Sequence, residues 1–108
     1  ELNKFYPIGN WKNHEDSMEL TESNGAIKVL FDAKEVNIVT ENKAKLEIFL
    51  DGIPLTEKHA GEDTTSYNQL IVSNAGMYNI INNENSISHT LEIKIEGKGF
   101  KIFTFTFG

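Results

Sequence analysis

A chain that closes on Phe100-Lys101-Ile102-Phe103-Thr104-Phe105-Thr106-Phe107-Gly108 is strongly constrained to build a β-strand there. A period of two places Phe103, Phe105 and Phe107 on one face and Ile102, Thr104 and Thr106 on the other. Four of the seven phenylalanines lie in these nine residues. A core strand is therefore expected at a chain end, where most domains fray.

The same alternation recurs upstream. Ala44–Leu50 sets Leu46, Ile48 and Leu50 against Lys45, Glu47 and Phe49, and it runs into the hairpin-forming pair Asp51-Gly52. In His89–Glu96, Leu91, Ile93 and Ile95 oppose Thr90, Glu92, Lys94 and Glu96. Gly97-Lys98-Gly99 then reads as a tight turn that pairs this segment with the final strand as an antiparallel hairpin. Ile27, Val29 and Phe31 share a face, Glu35–Glu41 is rich in β-branched residues, and Asn68–Val72 and Met77–Ile81 read as short strands. Ser17–Thr21 reads as a strand despite some helical flavour. Asn24-Gly25, Asn42-Lys43 and Asn82-Asn83-Glu84-Asn85 read as turns, and Glu57–Ser66 as the longest loop. About eight short strands in one domain spanning 1–108 predict an all-β, antiparallel, jelly-roll-like sandwich.

Charge and composition narrow the function. The formal charge is −6, with ten lysines and no arginine. Without the bidentate fork that reads phosphate and guanine, nucleic acid is not an expected partner. An acidic chain is also not expected to contact an anionic membrane surface. The sequence contains no cysteine, so thiol-disulfide exchange, cysteine nucleophiles and thiolate-bound zinc have no residues to use. No nucleophile elbow, phosphate loop or dinucleotide fingerprint is present. No cofactor and no metal are expected. The chain begins at Glu1 rather than Met, which reads as a fragment of something longer.

Several segments, in order, resemble the C-terminal module that follows the thioredoxin-like domain in DipZ-type thiol-disulfide proteins. Gly9-Asn10-Trp11 is similar to its opening Gly-x-Trp, and Ala33–Val39 to its second central strand. Leu50-Asp51-Gly52-Ile53-Pro54-Leu55 and Gly61-Glu62-Asp63 are similar to its Asp-Gly turn and following Gly-x-Asp. Met77–Ile81, His89-Thr90-Leu91 and the terminal Phe-Thr-Phe-Gly follow in the expected order. The resemblance implies a sandwich like that of carbohydrate-binding modules, carried outside the cytoplasmic membrane as the C-terminal part of a redox protein. It implies a thioredoxin-like domain or another protein as partner, and it lends this chain no catalytic residue.

Candidate ligand-binding residues follow from side-chain chemistry. Trp11, Tyr67 and Tyr78, with Tyr6, offer ring faces that suit a sugar, although most aromatics in a small domain are structural. Thr104 and Thr106, with Ile102 beside them, offer an apolar-and-threonine strip on the non-core face of the last strand, better suited to packing on protein. His14, His59 and His89 are not grouped by spacing, and the parity of His89 points it towards the core as a structural histidine. Asp51, Glu57, Glu62 and Asp63 could gather oxygens for calcium, but they lack the spacing of a calcium loop and read as solvated acids. The leading expectation is a non-catalytic accessory domain that docks on a redox domain or protein partner. Glycan recognition on a sheet face is the alternative, and a small hydrolase the third reading.

Overall fold

The computed structural model describes residues 4–108, the side chain of Ile87 aside; the first three residues of the expected 1–108 domain lie outside it. Nine antiparallel strands follow one another: β1 (Phe5–Ile8), β2 (Trp11–Asn13), β3 (Met18–Leu20), β4 (Asn24–Glu41), β5 (Ala44–Leu50), β6 (Ile53–Pro54), β7 (Gln69–Val72), β8 (Gly76–Glu96) and β9 (Lys101–Phe107). No helix occurs among the described residues. The sandwich is built on two long strands, β4 and β8, which pair along most of their length and pass through both layers.

In the first layer, β1, the first half of β4, the second half of β8 and β5 lie side by side, and β6 and β7 both pair with β5. In the second layer, β2, β3, β9, the second half of β4 and the first half of β8 lie side by side. Ile27, Val29, Phe31, Leu46, Ile48, Leu91, Ile93 and Ile95 from the first layer meet Val36, Ile38, Ile80, Phe100 and Ile102 from the second in one core. The alternation read in Ala44–Leu50 and His89–Glu96 is thus real, and each apolar set faces inward.

Three expectations need correction. Two of the asparagine segments are not turns: Asn24-Gly25 opens β4, and Asn82-Asn83-Glu84-Asn85 is part of β8. Register moves from Ala33↔Ile87 to Glu35↔Asn82, so Asn83–Ser86 bulge out opposite Lys34 alone, at the point where both strands leave one layer for the other. Polar residues suit a segment whose ladder is interrupted.

Secondly, β8 and β9 do not form a hairpin; β9 pairs with β3 and β4. The Gly97-Lys98-Gly99 connection crosses between layers. Its amides bond outward, Gly97 N to Ser23 O at 2.9 Å and Gly99 N to Leu20 O at 2.8 Å.

Thirdly, the three phenylalanines of β9 do not share the core. The register steps from Val39↔Thr104 to Thr40↔Ile102, which makes Phe103 the extra residue of a bulge. One extra residue inverts parity. Ile102 is consequently buried, Phe105 and Phe107 are half-buried against the core, and Phe103 is outside the core cluster.

Those β9 rings continue a row of aromatic side chains through the molecule. Phe5 and Phe105 have centroids 5.5 Å apart, Phe105 and Phe107 6.1 Å, Phe107 and Phe31 6.1 Å, and Phe31 and His89 5.8 Å. The row ties the edge strand β1 to the last strand across the gap between layers.

Candidate functional site

Three places combine exposure with chemistry. The first is the outer face of the second layer. Register places Met77, Val39 and Thr104 in one cross-strand row, and Asn79, Asn37 and Thr106 in the next. Met77 is 63% exposed, both threonines are exposed, and Asn37, Val39 and Asn79 are half-buried. None of the six side chains is ionisable. Beyond the bulge this patch is bordered by a charged row, Glu41, Lys101, Glu19 and Lys12, in which Lys101 Nζ lies 4.0 Å from Glu41 Oε2. Ile102, expected beside the threonines, is instead in the core because of the bulge.

The second is the outer face of the first layer, where a shallow groove of about 410 Å³ runs over Gly25 and Ala26. Lys28 stands opposite Glu92, Lys94 opposite Glu47, and Lys45 opposite Glu96. Lys94 Nζ also lies 4.8 Å from the Phe49 ring centroid, a cation–π distance. Residue 25 is held to glycine because a side chain there would meet Leu20 and the carbonyl of Ile8.

The third lies beside the β5–β6 turn. Asp51 and Gly52 adopt φ of 54° and 82°, the left-handed pair that a two-residue hairpin needs. Asp51 Oδ1 accepts from the Thr90 backbone N–H at 2.8 Å, and Oδ2 accepts from His89 Nδ1 at 2.6 Å. Burial pushes the Asp51 carboxyl up, but the hydrogen bonds from Thr90 and His89 outweigh it and hold the group below the usual aspartate value. His89 is buried as its parity requires. A cavity of about 250 Å³ here is lined by Leu50, Leu55, Thr56, His59 and His89. The sequence carries no local signal that joins His59 to His89.

The five expected ligand-binding residues do not converge. Thr104 and Thr106 are neighbours on the second layer's outer face. Tyr78 packs against the core and its hydroxyl donates to Asn74 O at 2.5 Å. Trp11 is half-buried against the core and donates from Nε1 to Ile8 O at 3.0 Å. Tyr67 is 50% exposed at the tip of the loop before β7, and Tyr6 is 46% exposed on β1.

The acidic residues read for calcium divide similarly. Asp63 Oδ2 accepts from Asn79 N at 2.7 Å while Asn79 Oδ1 accepts from Glu62 N at 2.8 Å. Gly61 packs so closely on the backbone of Asn79 and Ile80 that no Cβ fits. The Gly-x-Asp motif thus pins the 57–66 loop to β8. No group of three or more metal-ligating side chains assembles among the described residues.

Fold and surfaces together define a small jelly-roll module with no cysteine chemistry of its own. The chain belongs to the thioredoxin-like C-terminal domain family, which matches residues 1–108. It is 28% identical over 106 residues to Protein DipZ of Mycobacterium bovis, an alignment covering 98% of this chain and 13% of that protein. The chain thus spans about an eighth of the length of this curated relative. Among solved structures, the fold is similar to a family two carbohydrate esterase from Clostridium thermocellum in complex with cellohexaose. That match has a TM-score of 0.77 at 13% identity, over 97% of this chain and 31% of the esterase. It is also similar to the salicylyl-acyltransferase SsfX3 of a tetracycline biosynthetic pathway, with a TM-score of 0.70 at 7% identity, over 96% of this chain and 36% of that one. At these identities the likeness is one of fold, the carbohydrate-binding-module-like sandwich.

Proposed function

We propose that this chain is a non-catalytic accessory domain of an extracytoplasmic thioredoxin-like thiol-disulfide protein, and that it docks on the redox domain or a protein partner of that protein through the outer face of its second layer. The observation that carries the reading is an uncharged patch on that face. Six adjacent positions, Met77, Val39, Thr104, Asn79, Asn37 and Thr106, hold no ionisable side chain in a chain where 24% of residues are charged. Depletion of charge around an exposed apolar residue marks the centre of a protein interface. Family membership supports the redox parent, and with it a place outside the cytoplasmic membrane.

Sugar recognition by a sheet face needs ring faces in line. The two most exposed tyrosines sit on separate elements, and Trp11 and Tyr78 are packed on the core. The esterase's cellohexaose belongs to the esterase, so docking is the reading favoured for this chain.

The deciding experiment titrates the isolated domain against the thioredoxin-like domain of its own parent protein, with soluble polysaccharides as the parallel arm. Saturable association with the redox domain, weakened at least about tenfold (1.4 kcal/mol) by Met77→Lys together with Thr104→Glu, is expected. Association unchanged by those substitutions would remove the docking role from this face, and polysaccharide binding lost with Trp11→Ala or Tyr67→Ala in a folded protein would replace docking by glycan recognition.

A further inference from the structure

The histidines that the fold brings together share one pattern. His59 and His89 line the same cavity, with ring centroids 5.9 Å apart. In each ring Nδ1 is engaged: His89 Nδ1 donates to Asp51 Oδ2, and His59 Nδ1 donates to Asn83 Oδ1, both at 2.6 Å. The Asn83 amide is oriented by its own Nδ2, which donates to Ala33 O at 3.4 Å. An ionised carboxylate and an amide oxygen only accept, so each neutral imidazole holds its proton on Nδ1 and a lone pair on Nε2. His89 Nε2 is buried and has no hydrogen-bonding partner among the described residues, in a side chain only 9% exposed. A buried acceptor left unpaired is destabilising.

We propose that His59 and His89 form a site for a divalent transition-metal ion, bound through Nε2 of both rings and taking copper(II) most tightly. Neutral imidazole is the commonest metal ligand. Its ligating form ordinarily donates the other ring N–H to a carboxylate or carbonyl, which fixes tautomer and orientation; Asp51 and Asn83 hold those positions here. Metal–nitrogen bonds of about 2.0–2.1 Å place two ring centroids on one ion roughly 5–6 Å apart, matching their spacing. Nitrogen donors without thiolate suit copper(II), nickel(II) and zinc(II), and copper(II) heads the affinity order. The Asp51 carboxylate adds negative charge beside the cavity. Two protein nitrogens leave the remaining coordination positions to solvent or an incoming ligand on the His59 side of the cavity. The site is separate from the docking face and stands or falls independently of it.

The test is calorimetric titration of the intact chain with Cu²⁺, Zn²⁺, Ni²⁺ and Ca²⁺. One Cu²⁺ per chain, weaker Zn²⁺ and Ni²⁺, and no Ca²⁺ are expected. Asn83→Ala should weaken Cu²⁺ binding by about 10–100-fold, the usual effect of losing an outer partner, and His59→Ala by more. His14→Ala should leave it unchanged. His89 is buried and its replacement puts the fold at risk, so His59→Ala, checked by circular dichroism, carries the mutational test. Long-range proton–nitrogen spectra with Zn²⁺ should move Nε2 of both His59 and His89 and keep Nδ1 protonated. No saturable Cu²⁺ binding, binding undiminished in His59→Ala, or a Zn²⁺ shift confined to His14 overturns the site.

Discussion

The two outer faces of this sandwich are written in the same strand alternation yet solve different problems. On the first layer every lysine in the central strands stands across from a glutamate: Lys28 and Glu92, Lys94 and Glu47, Lys45 and Glu96. Opposed charges across antiparallel strands are worth roughly 0.2–1 kcal/mol each, and the face stays solvated. On the second layer a charged row of Lys12, Glu19, Lys101 and Glu41 borders a patch of threonine, asparagine, valine and methionine, whose side chains carry no charge. A face covered by opposed charges is a solvated surface; an uncharged patch in an acidic protein is available to another surface. The difference lies in register partners, which only the folded chain supplies.

That comparison can be broken at several depths. The deepest test is the core behind both faces. Phe31→Ala should lower stability by about 3–5 kcal/mol, and urea unfolding should follow one transition whichever face carries the probe; two separated transitions would mean that the layers are independent. Gly61→Ala comes next, at about 1–3 kcal/mol, because the methyl group is forced into the β8 backbone; an unchanged urea midpoint would remove the pinning role given to the loop. A smaller effect sharpens the contrast directly. Met77→Lys should change stability by no more than about 0.5 kcal/mol while weakening association with the redox domain, whereas Glu92→Lys should cost about 0.2–1 kcal/mol and leave association intact. The reverse pattern would move the docking surface to the first layer.

The smallest predicted effect is the acid dependence. Hydrogen bonds from Thr90 and His89 hold Asp51 below its ordinary value against the opposing effect of burial, and the hydrogen bond from His14 does the same for Glu19. Both carboxylates are easier to protonate in the unfolded chain. Their contribution is therefore present above the ordinary carboxylate values and is lost as pH falls through the lowered folded ones. Asp51→Asn should flatten the decline of the urea midpoint on the acid side; an unaltered slope would show that the Asp51 bonds do not stabilise the fold.

Much of this architecture was legible because burial imposes a period of two. Leu46, Ile48 and Leu50, or Leu91, Ile93 and Ile95, can face only one way, and the inward placement of His89 followed from the same parity. What failed was whatever depended on a distant partner. Gly97-Lys98-Gly99 has the chemistry of a hairpin turn, yet nothing in those residues states that the next strand will pair with β3 and β4. The bulge at Phe103 is equally silent, and one uncounted residue sent Ile102 inward and took Phe103 out of the core. Asparagines that read as a turn mark a place where the ladder opens without the strand ending. The candidate sites divide in the same way. The threonines of the uncharged patch were readable from the final strand, but Val39, Met77 and Asn37 join them only by register, and His59 meets His89 only in the fold.

The sharing of β4 and β8 between the layers has a consequence for how the protein comes apart. Ile27 and Ile38 sit on opposite sides of the β4 register breaks, in different layers, on one continuous backbone. Neither layer can peel away while its two longest strands remain anchored in the other. Central amides at both positions should therefore become accessible to deuterium only through the same global opening, at a common free energy. Because most of the pairing joins distant parts of the chain, that unit should assemble slowly for its size. The two layers are thus joined along two unbroken backbones and not only by the contact of their side chains.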